Sequence, residues 1–503
     1  PDVYGRLSAG YESNGNLMRG ESQVGLSGEM YDVSVFASWS QGDDYRTGND
    51  NTVQADFSRE SVGTHIGLKL TPNQQVRLSA LYNRARDADF PALPMDLRED
   101  DTWLFNARHD IQFEGKKLQS WNTSLFGSFV DHLMDNLLKP LDPRMLNAET
   151  FATTYNYGGR TESVWQWGKN KLFAGADLRV EGASGTRVRS FLMGPMAGQQ
   201  VEDNAWQDGQ ISKTGLFAEY QHTGGIFDYV ISARLENNTA QLNDPSAEFT
   251  QVYPTTTVTQ INPSLSVGIL KDVGPQWQLG LWLARAQRSA GLTERFINYF
   301  PVGLDPYEML GNPQLSPEVN YQADLTTQWN IKNNSSLSVD VFASFLQQYI
   351  SSLIDTTLSP RLPMSPGVRQ FVNIDEAFKA GFEISWQQHL WAGLHHRLGV
   401  AYTYGQDLER NEPLPEIAPL DLRYTVFGNY IEGKLQPEVT FRYVATQSRI
   451  AKEFGETTTP GFALLDAKVG YQIVKGLSAN IGVHNLLDEA YYEHLNRSVR
   501  GTN

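Results

Sequence analysis

Histidine and methionine side chains that could bind a soft metal ion lie in three stretches of the sequence. His132 and Met134 stand two residues apart, Met145 follows on the next predicted loop, and Met193 and Met196 form a Met-x-x-Met pair further along. Imidazole and thioether groups are borderline or soft ligands, and they suit copper. Nine methionines in 503 residues is ordinary usage, so loop methionines that merely cover apolar surface would give the same pattern.

Aromatic and arginine side chains on other predicted loops suit a different ligand. The residues are Trp206, Tyr299, Phe300, Tyr307, Arg361 and Arg369. Exposed rings of this kind stack on flat ligands such as catecholates, although the same rings could instead pack against their own loop. The arginines could bind an anionic chelate or pair with neighbouring acids. A ferric siderophore, copper and another metal chelate therefore all stay open as the ligand.

Several other chemistries are excluded or have little support. The chain has no cysteine, which removes thiolate metal sites, iron–sulfur clusters and cysteine nucleophiles. The net charge of −16 argues against a nucleic-acid surface. His395 and His396 are adjacent, so on a strand they face opposite sides and do not bind one metal together. No catalytic or nucleotide-binding motif is present, and we expect the protein not to be an enzyme.

The elements that position these residues are strands, because apolar and polar residues alternate from end to end. Val76, Leu78, Ala80 and Tyr82, for example, oppose Arg77, Ser79 and Asn83. Many alternating runs reach about 10 residues, the length that a tilted strand needs to cross a bilayer. The mean hydropathy of −0.41 does not contradict this, because lumen-facing residues lower the average.

The connections between strands predict how the strands are arranged. Short turns are expected at 28–30, 71–73, 114–116, 168–170, 223–225, 332–334, 432–434 and 474–476. Long loops are expected near 41–57, 85–99, 132–150, 183–209, 241–256, 289–317, 351–368, 405–420 and 447–460. Short turns on one side and long loops on the other are typical of an outer-membrane barrel. We therefore predict an all-β, antiparallel transmembrane β-barrel of about 22 strands over residues 1–503, about 21 of them in this sequence.

Three motifs resemble those of the TonB-dependent outer-membrane receptors. Residues 311–318 (GNPQLSPE) resemble a mid-barrel segment of that family, and residues 288–296 (RSAGLTERF) resemble the stretch before it. Residues 485–494, from Asn485 to Tyr491, Tyr492 and His494, are similar to the box before the last strand. A weaker resemblance links residues 130–136, Met145 and residues 158–160 to the copper-receptor branch.

The resemblance implies active uptake of a scarce metal or metal chelate across the bacterial outer membrane, energised through the TonB complex. The family also has an N-terminal plug domain, which we expect to be missing from this sequence, and the count of about 21 strands predicts a last strand after Asn503. The alternatives are a passive porin-like channel and an adhesin or other surface-binding barrel. Further expected partners are outer-membrane lipid and lipopolysaccharide, and phages or bacteriocins that dock on outer loops. No bound cofactor is expected beyond the transported ligand.

Overall fold

The computed structural model describes residues 2–91, 93–301, 307–331, 334–362 and 365–496. Within these residues, 25 strands form one sheet and two short strands form a second. In the first half of the chain the strands are β1 (Asp2–Glu12), β2 (Leu17–Ser27), β3 (Tyr31–Gly42), β4 (Tyr45–Arg46), β5 (Thr52–Val53), β6 (Phe57–Thr71), β7 (Gln74–Ala88), β8 (Asp96–Gln112), β9 (Leu118–Asp135), β10 (Leu146–Trp167), β11 (Asn170–Phe191), β12 (Gln200–Asn204), β13 (Gly209–His222) and β14 (Asp228–Leu242). In the second half they are β15 (Thr257–Asp272), β16 (Trp277–Arg288), β17 (Asn298–Pro301), β18 (Glu308–Leu310), β19 (Glu318–Ile331), β20 (Ser335–Asp355), β21 (Val368–His389), β22 (Leu394–Asp407), β23 (Glu412–Pro413), β24 (Asp421–Gly428), β25 (Leu435–Val444), β26 (Phe462–Val474) and β27 (Leu477–Val483).

The alternation predicted from the sequence separates two faces of the sheet. On β9, Leu125 and Phe129 are exposed on an apolar face, whereas Ser124, Ser128 and His132 occupy the other face. Their cross-strand neighbours on β8 and β10 follow the same rule, because directly paired residues share a face. The sheet thus has one apolar face and one polar face, as the alternation in the sequence predicts.

The long strands pair with their neighbours along the chain in an antiparallel ladder from β1 to β27. Among the described residues the one parallel pairing joins the short β18 to β21. No pairing between β1 and β27 is present in this part of the chain. The loop after β3 nevertheless reaches the segment after β27, since a Cβ built on Gly48 would lie 2.8 Å from the carbonyl carbon of Glu489. A long loop near the start of the strand order therefore contacts the segment that follows the last described strand.

Several strands extend further than the sequence predicted. The loop expected near 132–150 is shorter, because β9 continues to Asp135 and β10 begins at Leu146. Likewise β11 continues to Phe191, inside the loop expected near 183–209. At their long-loop ends these strands keep pairing, since a paired ladder satisfies backbone groups that an irregular loop would leave to solvent. The short turns lie where they were expected, although residues 332–333 fall outside the described part of the chain.

The long loops carry an apolar core and two short helices, α1 (Ala247–Val252) and α2 (Leu292–Phe296). Ser246 caps α1, because its hydroxyl accepts a hydrogen bond from the backbone N–H of Phe249. The main cluster contains Ile211, Ala240, Leu242, Phe249, Tyr253, Phe296, Tyr299, Leu310 and Val368. We call this loop assembly the cap. No helix in the described residues is long and apolar enough to span a membrane.

Candidate functional site

Strand β9 places His132 and Met134 side by side on the polar face of the sheet. His132 pairs with Asp100 on β8 and Ala152 on β10, and Met134 pairs with Leu97 and Thr150. The exposed apolar residue Phe129 lies on the opposite face. The His-x-Met spacing therefore brings an imidazole and a thioether to one face, as the two-residue period of a strand dictates.

An acidic neighbour fixes the orientation of the His132 ring. The Nδ1 atom of His132 lies 3.0 Å from Oδ2 of Asp100. The other oxygen of Asp100 accepts a hydrogen bond of 2.8 Å from the Thr102 hydroxyl. A carboxylate on Nδ1 leaves Nε2 as the nitrogen that can bind a metal. The His132 side chain is 31% exposed, so a ligand can reach it.

A third ligand candidate, Met95, was missed by the sequence analysis. Its sulfur lies 3.8 Å from the hydroxyl oxygen of Thr150, and the residue is 7% exposed. Thr150 is the direct cross-strand partner of Met134, so both thioethers border the same threonine side chain. Met95 precedes β8 in a segment predicted to be a loop, and no periodicity or motif singles it out.

The methionines at the outer rim form a second group. The carbonyl oxygen of Met145 accepts hydrogen bonds from the backbone N–H groups of Leu192 (2.9 Å) and Met193 (3.3 Å). Met145 and Met193 are 38% and 48% exposed, and Met196 lies in the turn that follows. The structure thus brings together two methionines that the sequence placed on separate loops. Met145 and Thr150 are separated by roughly 16 Å along the extended chain.

These two groups differ from a conventional carboxylate and imidazole site. Within the described residues, no group of three or more His, Asp or Glu side chains is arranged to hold a metal ion. The donor set at the inner site is one imidazole and two thioethers, His132, Met134 and Met95. Such a set favours a soft ion over a hard one.

The aromatic residues predicted to grip a flat ligand are largely packed into the cap. Tyr299 is 7% exposed and belongs to its core, with φ of 50°. Trp206 and Phe300 are half-buried, with ring centroids 6.5 Å apart. Tyr307 is half-buried beneath the Arg369 guanidinium, which is 4.9 Å from its ring centroid. Burial raises the pKa of the Tyr299 hydroxyl, and the structure favours the folding role of this ring.

Arg361 is likewise bound within the cap. Its guanidinium lies 3.8 Å from the ring centroid of Tyr299. Its backbone N–H donates a 2.5 Å hydrogen bond to Oε2 of Glu308, which also accepts from the N–H of Leu362. Burial raises the pKa of Glu308, although these two hydrogen bonds oppose the shift. The arrangement anchors one long loop to another.

Two of the motifs noted in the sequence contact each other at the base of the cap. Arg295, which is fully buried, donates hydrogen bonds to the carbonyl oxygens of Ala290 and Pro313 and to Oε1 of Gln260. Burial lowers the pKa of Arg295 to about 10, so it stays charged at neutral pH. A Cβ on Gly311 would lie 2.5 Å from the Arg295 carbonyl oxygen. The motifs therefore have a structural role in joining 288–296 to 311–318.

The third motif fastens the segment after β27. The Asn485 side chain donates to the carbonyl oxygen of Glu489 and accepts from the N–H of the same residue, both at 3.0 Å. Tyr491 packs on Phe462 with ring centroids 4.4 Å apart. His494 is buried, with its Nδ1 2.8 Å from the hydroxyl oxygen of Thr459. This box, too, stabilises a loop connection.

Comparison with solved structures supports the fold. The copper transporter OprC matches with a TM-score of 0.84 at 19% identity, over 98% of this chain and 76% of that one. The FrpB iron transporter from Neisseria meningitidis matches with a TM-score of 0.71 at 15% identity, over 100% and 79%. A mutant of the ferric enterobactin receptor PfeA from Pseudomonas aeruginosa matches with a TM-score of 0.71 at 13% identity, over 98% and 76%. At these identities the likeness shows the fold alone.

A search of curated proteins finds no significant match. The family model "TonB dependent receptor-like, beta-barrel" matches residues 32–486, which is most of the chain. This match agrees with the apolar face of the sheet, the alternating short turns and long loops, and the three sequence motifs. The chain therefore belongs to the TonB-dependent receptors, whose β-barrels lie in the bacterial outer membrane.

Proposed function

We propose that this protein takes up copper across the outer membrane. The observation that carries the proposal is the soft donor set on the polar face, in which His132 and Met134 share β9 and Met95 borders Thr150. Three soft or borderline donors with no thiolate suit Cu(I). The structural likeness to a protein described as a copper transporter supports the same choice.

The barrel that encloses this site is the second part of the proposal. We infer a closed barrel of about 22 strands whose lumen holds a plug, with energy supplied through TonB. The approach of Gly48 to Glu489 supports closure, because it places the loop after β3, near the start of the strand order, against the segment after β27. Without a plug, a lumen of this size would be a passive aqueous pore.

The two methionine groups give the copper ion a route. Met145, Met193 and Met196 capture the ion at the rim, where their side chains are accessible. His132, Met134 and Met95 then bind it further inside, roughly 16 Å along β10 from Met145. Asp100 holds the imidazole so that Nε2 points away from the carboxylate and toward the ion. No covalent chemistry is involved, and the copper ion is the substrate.

An anionic siderophore has weaker support from the cap. Arg187 and Arg189 are buried and both bind Asp203, at 3.1 and 2.9 Å. Arg361 is stacked on Tyr299, and Tyr299 is itself in the core. The cationic and aromatic groups that such a ligand would contact thus already form ion pairs or ring contacts within the protein.

Calorimetric titration of the full-length protein with Cu(I), Cu(II), ferric siderophores, haem and cobalamin tests the proposal. We expect saturable Cu(I) binding that is lost when Met134, Met145, Met193 and Met196 are all changed to leucine. Leucine conserves volume but removes the sulfur ligand. Binding of a siderophore that is unaffected by these changes would place recognition on the aromatic and arginine residues instead.

The carboxylate of Asp100 provides a finer test. We expect Asp100→Asn to weaken Cu(I) affinity about 10- to 100-fold, as loss of an outer partner of a histidine ligand does elsewhere. Asp110 offers a matched control, because Asp110→Asn alters a carboxylate that pairs with Arg77 and Arg108 on a different part of the sheet. Equal Cu(I) affinity in the Asp100 variant and the wild type would contradict a role for Asp100 in orienting His132.

A further inference from the structure

Two histidines that are not adjacent in sequence face each other at the short-turn end of the sheet. His389 is the last residue of β21 and His395 is the second residue of β22. The register pairs them directly across the antiparallel ladder. Directly paired residues lie on one face, with Cβ atoms about 4.5–5.5 Å apart. The two imidazoles are thus brought together by the turn at 390–393.

The separation of the two ring centroids fits a shared metal ion. Their centroids are 4.8 Å apart and their planes are inclined by 66°. With metal–nitrogen bonds of about 2.0–2.1 Å, a metal lies about 3.2 Å from each ring centroid. Two such rings then have centroids about 4.5 Å apart at a right angle and about 5.2 Å apart at a tetrahedral angle. The observed separation falls between these values.

The surroundings leave both rings available. Both residues are half-buried, and neither forms a hydrogen bond or an ion pair with another residue in the described part of the chain. His395 stacks on Phe427 with centroids 5.1 Å apart, which fixes the plane of its ring. The nearby cation of Arg397 is directed over the same Phe427 ring, 5.4 Å from its centroid.

The face that carries the pair is the polar one. Glu383 and Ser385 on β21 and Arg397 on β22 share it by alternation. His396 lies on the other face, buried between Trp386 and Tyr424, with ring centroids 4.5 and 5.7 Å away. The sequence drew attention to the adjacent pair His395 and His396, whereas the pair that meets in space is His389 and His395.

We propose that His389 and His395 together bind one borderline divalent transition-metal ion, of the Cu²⁺ or Zn²⁺ class. Two neutral imidazole ligands suit such ions, and water would complete the coordination shell, so the bound ion would exchange readily. Short turns mark the periplasmic end of an outer-membrane barrel, so the site lies at the lumen exit. Binding of a divalent ion at this site does not rest on the proposed uptake of Cu(I).

The test uses the purified full-length protein and the Cu²⁺ complex of iminodiacetate, whose chelator leaves few positions for protein ligands. Electron paramagnetic resonance of the wild type should show two imidazole nitrogens on one Cu²⁺. We expect His389→Gln and His395→Gln each to weaken binding at least tenfold, and the double variant to be no weaker than either. This non-additivity is the signature of two ligands that act as a unit.

His484→Gln is the matched control, because the His484 side chain is 77% exposed and stands alone beside Asp466. It should leave the Cu²⁺ iminodiacetate affinity unchanged. A wild-type spectrum with only one imidazole nitrogen on Cu²⁺ would overturn the proposal. So would additive losses of affinity in the double variant, and the two rings would then merely pack against each other. Met134→Leu should keep this signal while weakening Cu(I) binding, so failure of this site and failure of the uptake proposal can be told apart.

Discussion

Replacing Met134 with leucine is expected to weaken Cu(I) binding at least tenfold while the barrel folds normally. Met134 supplies one of three soft donors on the polar face, beside His132 and across Thr150 from Met95. Leucine fills a similar volume, so packing changes little, but the sulfur is lost. Losing a direct ligand should cost at least as much as losing an outer partner, which is about 10- to 100-fold in affinity. Competition against a chromogenic Cu(I) chelator measures the loss.

Met30→Leu is the control for this experiment. Met30 is 51% exposed in a short turn at the opposite end of the sheet, so its replacement should leave Cu(I) affinity unchanged. The Met95→Leu and Met134→Leu changes should be non-additive, because in the proposed site both sulfurs bind the same ion. Two independent losses that simply add would show that Met95 and Met134 belong to separate sites, and an unchanged affinity would remove the inner site from the copper route.

The wall of the barrel could be predicted from the sequence because strand alternation and turn length are local properties. Within each run, such as 76–83, the alternation itself shows which residues share a face of the sheet. Each short turn marks the place where the chain reverses direction. The residues of the proposed inner copper site could be predicted from the sequence only in part. The spacing of His132 and Met134 is local, but Met95 meets Thr150 across 55 residues of chain through the pairing of β8, β9 and β10.

The cap could not be predicted for the same reason. For Tyr299 the sequence leaves both ligand contact and folding of its own loop open, because that loop has no periodicity that would decide between them. Its burial arises from Phe249, Leu310 and Val368, which belong to different segments of the chain. Contacts between long loops depend on the tertiary arrangement of the strands that carry them. Loop residues can therefore be recognised by type, but whether they face a ligand or a core needs the assembled structure.

Gly311→Ala is expected to loosen the cap without unfolding the barrel wall. A Cβ at this position would lie 2.5 Å from both the carbonyl oxygen of Arg295 and the backbone nitrogen of Phe296. Neither is a flexible side-chain end, so the 288–296 and 311–318 segments must separate. Overpacking of this kind costs about 1–3 kcal/mol, and each buried hydrogen bond of Arg295 that breaks adds about 1–3 kcal/mol more. Hydrogen exchange of residues 290–316 should accelerate accordingly.

The matched change is Gly399→Ala, because a Cβ there would meet no atom within 4 Å. It should leave hydrogen exchange in the cap unchanged. It should also slightly stabilise folded β22, since alanine restricts the unfolded chain more than glycine does. Arg295→Gln should imitate Gly311→Ala, because it removes the donors to Pro313 and Ala290. If Gly311→Ala left exchange in 290–316 as slow as in the wild type, the contact between the two motifs would not be what holds the cap on the barrel. Gly399→Ala adds the same methyl group where space is open, whereas Arg295→Gln removes buried donors without adding bulk at residue 311, so the steric contact and the hydrogen bonds are tested separately.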